Sequence, residues 1–175
     1  MMSFSLQFVL VLIGTFMIAL VFTPFVRLFS FKIDAEDDPN ARRINTKPMP
    51  SAGGLSIVIA FSIATLVLIP MLTSTNAPIK SYLSYTLPVV GAGWIIALTG
   101  LIDDVKELSA KKKMIGILLA ASLVWFLTDF RLNDFKIPFG GPLLHFEPWL
   151  SYLLTVIWIV SITNAVNLID GLDGL

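Results

Sequence analysis

The chain has 175 residues, 56% hydrophobic and 14% charged. Water-soluble domains carry about 25% charged residues, so a soluble globule is excluded as the default, and one domain is expected at this length. Twelve Lys plus Arg balance twelve Asp plus Glu, so no charge excess argues for nucleic acid or a polyanion partner, and the absence of cysteine excludes disulfides, thiolate metal sites and a cysteine nucleophile.

In chain order, Phe4 to Val26, Gly53 to Leu72, Tyr82 to Ile102 and Trp149 to Ile169 are free of charge over 23, 20, 21 and 21 residues. A helix rising 1.5 Å per residue crosses about 30 Å of hydrocarbon with such a length. The first run is not a cleavable signal, since Met1 to Gln7 carries no cation and the apolar stretch is too long. Met114 to Leu127, at 14 residues, is shorter, but Lys111, Lys112 and Lys113 before it can snorkel and extend the helix. The expected fold is therefore all-α: a polytopic membrane helix bundle of about five transmembrane helices, with residues 1–175 forming a single membrane domain.

Five crossings put residues 27–52 and 103–113 on one side and residues 73–81 and 128–148 on the other. The first side holds Arg27, Lys32, Arg42, Arg43, Lys47, Lys106, Lys111, Lys112 and Lys113; the second holds only Lys80, Arg131 and Lys136. Cations gather in cytoplasmic loops, so the N-terminus is expected outside and the two basic loops inside. Asp34, Glu36, Asp37, Asp38, Asp103, Asp104, Glu107, Asp170 and Asp173 share the cytoplasmic side. The topology rule does not demand that acids gather there, and catalysis on that face is one cause. The segment from Asp129 to Pro148, rich in Pro and Gly, reads as an outer loop, with Trp149 and Trp158 setting the last helix against an interface.

Three inner strings carry the chemistry. In GLIDDVKELSAKKK, Asp103 and Asp104 are neighbours, and neighbours on a helix point about 100° apart. The pair thus suggests two jobs: one carboxylate faces a ligand while the other meets a second partner or solvent. The plainer reading is a solvated helix end answering Lys106 and the Lys111–Lys113 cluster. In NAVNLIDGLDGL, Asn164, Asn167, Asp170 and Asp173 recur every third residue, so any three in succession lie within about 120° of one helix face. Oxygen ligands without His or Cys suit Mg²⁺ or Mn²⁺. Gly171 and Gly174 let a phosphate or nucleotide approach the backbone, or break the helix. The rival reading, an Asn-bearing packing face ending in a turn, suits the two asparagines better than the whole row. A carboxylate in mid-membrane costs about 2.5 kcal/mol or more. In ARRINTKPMPSAGG, Lys47 is a point charge suited to phosphate and Thr46 and Ser51 are hydroxyl donors, while Arg42 and Arg43 serve equally well as topology-setting surface cations. His145 lies on the other side and reads as a loop histidine. Together the three strings outline a magnesium-dependent phosphoryl-transfer site at a membrane surface.

The ordered set RRINTKPMPSAGG, GLIDDVKELSAKKK and NAVNLIDGLDGL resembles the polyprenyl-phosphate N-acetylhexosamine-1-phosphate transferase family, which includes phospho-N-acetylmuramoyl-pentapeptide transferase. The resemblance implies attack of undecaprenyl phosphate on a UDP-amino sugar, releasing UMP and opening the synthesis of a cell-envelope glycopolymer such as teichoic acid or O-antigen. It implies that Asp103 and Asp104 activate phosphate or organise metal, that Asn167 and Asp170 serve Mg²⁺ and the diphosphate, that Asp173 meets the nucleotide, and that Lys47 contacts phosphate. Asn164, in the same row, is expected to bind substrate. The aspartate pair without a third member and the basic loop lean toward the GlcNAc-1-phosphate branch, although that branch commonly has His at position 45 and Arg at position 51, where this chain has Asn45 and Ser51. Family members are about twice as long, so the chain is expected to be an N-terminal portion with little turnover of its own. The competing classes are a transporter or channel subunit, which calls for acids at mid-membrane, and a CDP-alcohol phosphotransferase, whose Asp-Gly-x-x-Ala-Arg opening is not found here.

Overall fold

The computed structural model describes residues 3–37, 48–73 and 78–170; of residues 37 and 168–170 only the backbone is described. Ser3 accepts the Leu6 N–H at the start of α1 (Phe4–Lys32), a 29-residue helix that runs past the end of the charge-free stretch, so the first basic loop begins later than residue 27. A two-residue ribbon, β1 (Glu36–Asp37) with β2 (Met49–Pro50), closes the base of that loop. α2 (Gly54–Ile63) continues through one π turn (Ala64–Leu68) into α3 (Ile69–Leu72) as a single 19-residue rod. The remaining helices are α4 (Ile79–Lys106), α5 (Ala110–Leu127) and α6 (Pro148–Asp170). The outer loop expected over residues 128–148 contains a hairpin, β3 (Asp134–Lys136) with β4 (Leu143–His145).

Four of these rods, Phe4–Lys32, Gly54–Leu72, Ile79–Lys106 and Pro148–Asn167, are long and apolar enough to cross a membrane. α5 has 18 residues and three lysines in its first turn. Its two ends are nevertheless fixed to both ends of α4. Lys113 Nζ lies 2.6 Å from the Asp103 carboxylate, and the Tyr85 hydroxyl donates to Asp129 just beyond α5 at 3.0 Å. The 18 residues from Tyr85 to Asp103 rise about 27 Å, so α5 runs alongside most of the length of α4.

The interior is built from small residues. Ala60, Ala64, Ala92, Ala120 and Ala121 are buried, whereas Phe8, Phe16, Phe25 and Trp158 stand outward. This is the packing expected where lipid tails solvate large apolar side chains and helices gain by close approach. Hydroxyl and amide bonds stitch the helices: Trp94 Nε1 donates to Ser62 at 3.0 Å between α4 and α2, and Trp125 Nε1 to Ser151 at 3.2 Å between α5 and α6. The π turn has a local cause. Pro70 has no N–H to offer the preceding turn, and the Ile69 N–H reaches back to Ala64 rather than Thr65. The Thr65 carbonyl is taken up instead by the Tyr82 hydroxyl at 2.5 Å.

Candidate active site

The Lys-rich end of the bundle carries two neighbouring cavities. One, of about 370 Å³, is lined by Ser51, Gly54, Val58, Gly100, Asp104 and Asn167 among others. The second, of about 580 Å³, includes Thr99, Lys113, Ile117, Ile162, Asn164 and Asn167. They share Gly54, Ile96, Gly100 and Asn167, and so adjoin one another among α2, α4, α5 and α6. Asp104 and Asn167, from helices far apart in the chain, line the first, and Asn164 and Asn167 line the second.

The neighbouring carboxylates do take different jobs. Asp103 accepts the Leu108 N–H at 3.0 Å and pairs with Lys113, closing the short turn Glu107–Ser109 between α4 and α5. Glu107 caps α4 at φ 45°, a left-handed residue whose N–H returns to the Asp103 carbonyl. Asp103 thus answers the lysine cluster at the helix end, while Asp104 lines the cavity. On α6, Asn164 donates an amide hydrogen to the Val160 carbonyl at 2.9 Å while lining the second cavity, and Asn167 lines both. Asp170 continues the same helix one step of three residues onward; its side chain lies outside the described residues, as do Lys47, Asp173 and the other cations of the first loop.

The wall that α2 contributes is held by a clamp absent from the sequence reading. Ser30, fully buried, donates its hydroxyl to the Ala35 carbonyl and accepts the Ala52 N–H at 3.5 Å. The same carbonyl receives the Ser51 N–H at 3.1 Å and the Ser51 hydroxyl at 2.9 Å. These bonds tie the end of α1 to the start of α2, where Ser51, Ala52 and Gly54 meet the cavity. Lys113, which sequence reasoning left between a snorkelling cation and a partner of the aspartate pair, stands as the partner of Asp103. Its place ten residues after Asp103, across a tight turn, was the available signal.

Among the described residues no three His, Cys, Asp or Glu side chains gather as a metal cluster. The donors on the cavity wall are nonetheless a carboxylate, amides and a hydroxyl, a set that fits a hard cation which keeps its waters and shares them with phosphate oxygens.

The model of glycosyl transferase family 4 matches residues 86–175, the half that holds both Asp103–Asp104 and the Asn164–Asp173 row. The chain belongs to that family. It is 39% identical over 97% of its length to a probable undecaprenyl-phosphate N-acetylglucosaminyl 1-phosphate transferase of Bacillus subtilis, of which it covers 44%. It is 35% identical over 87% of its length to a decaprenyl-phosphate N-acetylglucosaminephosphotransferase of Mycolicibacterium smegmatis, covering 37% of that protein. A phospho-N-acetylmuramoyl-pentapeptide-transferase of Staphylococcus saprophyticus is 31% identical over 95% of the chain, which covers 53% of it. The chain thus spans about half or less of the length of these family 4 relatives. No solved structure matches it.

Proposed function

We propose that this multi-pass membrane chain forms part of a transferase that moves an N-acetylhexosamine 1-phosphate, GlcNAc-1-phosphate by preference, from its UDP-sugar to undecaprenyl phosphate, releasing UMP. The observation that carries the reading is the meeting of Asp104 and Asn167 on one cavity wall that continues into an apolar space edged by Lys113. A lipid phosphate needs both an apolar lodging and a polar end, and this space supplies them side by side. The preference for GlcNAc is supported by the names of the Bacillus and Mycolicibacterium relatives.

In the proposed reaction an oxygen of the lipid phosphate forms a bond to the sugar-bearing phosphorus, and the bond from that phosphorus to the UMP oxygen breaks. Such transfers demand alignment and charge stabilisation more than covalent help from the protein. Asp104 orients the incoming phosphate, Asn167 and Asn164 donate hydrogen bonds to phosphate oxygens, and Asp103 holds Lys113 at the rim. Lys47, four residues before Ser51, is assigned to a phosphate and Asp173 to the nucleotide. Asn167 and Asp170 are the residues that would hold Mg²⁺, with Mn²⁺ as substitute. The ion neutralises diphosphate charge when bound. The active end is assigned to the cytoplasm from the cation asymmetry, and the product to the opening step of an envelope glycopolymer.

The test uses membranes from cells expressing the whole enzyme of which the chain forms part, with labelled UDP-GlcNAc and undecaprenyl phosphate. UMP and a lipid-linked sugar diphosphate should form with Mg²⁺ and cease with chelator. Asp104→Asn should abolish this at unchanged protein level. Full turnover by that variant removes Asp104 from the mechanism, and UMP release without lipid product removes the acceptor assignment.

A further inference from the structure

The hairpin between α5 and α6 has two unlike faces. Its register pairs Asp134 with His145, Phe135 with Leu144 and Lys136 with Leu143. Side chains alternate along a strand, so Phe135 and Leu144 share one face, and Asp134, Lys136, Leu143 and His145 share the other. On that polar face His145 Nδ1 pairs with the Asp134 carboxylate. On the apolar face Phe135 is 51% exposed and Leu144 42%. At the tip Phe139 is fully exposed and holds φ at +60°, just before Gly140 at +86°. A bulky side chain in the left-handed region is unfavourable, and an exposed aromatic gains nothing from water, so both features call for something outside the chain.

The base of the hairpin is fixed to α6 and closed on itself. Leu132 N–H donates to Thr155 of α6 at 2.9 Å, and Phe146 N–H to the Asn133 carbonyl at 2.8 Å. Beside this base an apolar cavity of about 370 Å³ is lined by Phe130, Leu132, Trp158 and Ile159, together with Arg131 and Asp129. Phe126 and Leu127 of α5 and Trp149 and Leu153 of α6 stand exposed nearby in sequence. Phe130 and Leu132, both exposed, carry the apolar surface of α5 on towards the hairpin, beside Asp129 and Arg131. We infer that the β3–β4 hairpin lies in the interfacial layer of the adjacent leaflet, with Phe135, Phe139 and Leu144 among the acyl chains and Asp134, Lys136 and His145 toward water. Aromatic rings anchor at this depth, and an amphipathic element lies flat there. The hairpin then fixes the height and tilt of α5 and α6, whose far ends carry Lys113 and Asn167.

The chain has no cysteine, so Phe135→Cys, Phe139→Cys and Lys136→Cys each accept a single nitroxide at an exposed position that tolerates the label. The variants are reconstituted in liposomes of phosphatidylethanolamine and phosphatidylglycerol, and collision rates are read against oxygen, which concentrates in lipid, and a water-soluble nickel chelate. Oxygen should dominate at 135 and 139 and the chelate at 136. Chelate dominance at 135 and 139 would place the hairpin in water and overturn the inference. Protection of 135 and 139 from both reagents would show a protein cover, a second copy included, and overturn it equally.

Discussion

Gly116→Ala directs a methyl group into α4. An ideal Cβ at Gly116 would lie 2.2 Å from Thr99 Oγ1, 2.7 Å from Thr99 Cγ2 and 2.9 Å from Thr99 Cβ. Carbon contacts settle at about 3.5–4.0 Å, so either α5 retreats by about 1 Å or Thr99 turns away. Turning breaks the Thr99 hydroxyl bond to the Ile95 carbonyl, 2.7 Å long and worth about 1 kcal/mol, and leaves the Cβ contact in place. Alanine's better helix propensity, about 1 kcal/mol, offsets that bond and leaves the over-packing itself, about 1–3 kcal/mol. For a chain of this size each kcal/mol moves the melting temperature by about 2–4 °C, so Gly116→Ala should melt about 5 °C lower in detergent, followed by circular dichroism. Thr99→Gly in the Gly116→Ala background removes the colliding atoms, and the cycle should show the loss at 116 shrinking markedly. An unchanged melt for Gly116→Ala, or strictly additive effects, would refute the close approach of α4 and α5.

Asp103→Asn loses the ion pair to Lys113 and should cost about 1–2 kcal/mol in the same melt; equal stability would deny it the role of tying α4 to α5. Ser30→Ala strands the buried Ala52 N–H and should cost about 1–3 kcal/mol while raising KM for the UDP-sugar more than it lowers kcat; unchanged stability and KM would dismiss the clamp. Tyr82→Phe strips the π turn of its hydroxyl donor and should destabilise by about 1–2 kcal/mol, an effect that Pro70→Ala in the same background should reduce; independence of the two would separate the proline from the turn.

Charge-free runs made the crossings readable in the sequence, because a span must exclude charge over a length that no other helix needs. Asp103 and Asp104 were legible as a divided pair from helix geometry alone, and the structure sends Asp103 to Leu108 and Lys113 and leaves Asp104 at the cavity. The Asn164–Asn167 spacing likewise put both amides on one wall. The hairpin was not legible: three-residue strands around Pro138, Gly140, Gly141 and Pro142 carry too little alternation to stand out from a loop. Nor was the Ser30 clamp, since a serine in an apolar helix has no local mark of the distant carbonyl and amide it joins. Lys113 was visible but ambiguous, because one charged stem suits both a snorkel and an ion pair.

The π turn in the second rod has a consequence for how the protein tolerates change. An extra residue absorbed into one wide turn leaves the helix on either side facing as before, whereas the same insertion in strict α geometry would swivel everything beyond it by about 100°. Leu55, Ile57 and Val58, which line the cavities, all precede Ala64. Removing one residue within Ala64–Leu68 would therefore return that turn to α geometry and leave both the chamber wall and the half near Tyr82 in register. The second rod thus has room for one change of length at a point where the chamber wall does not register it.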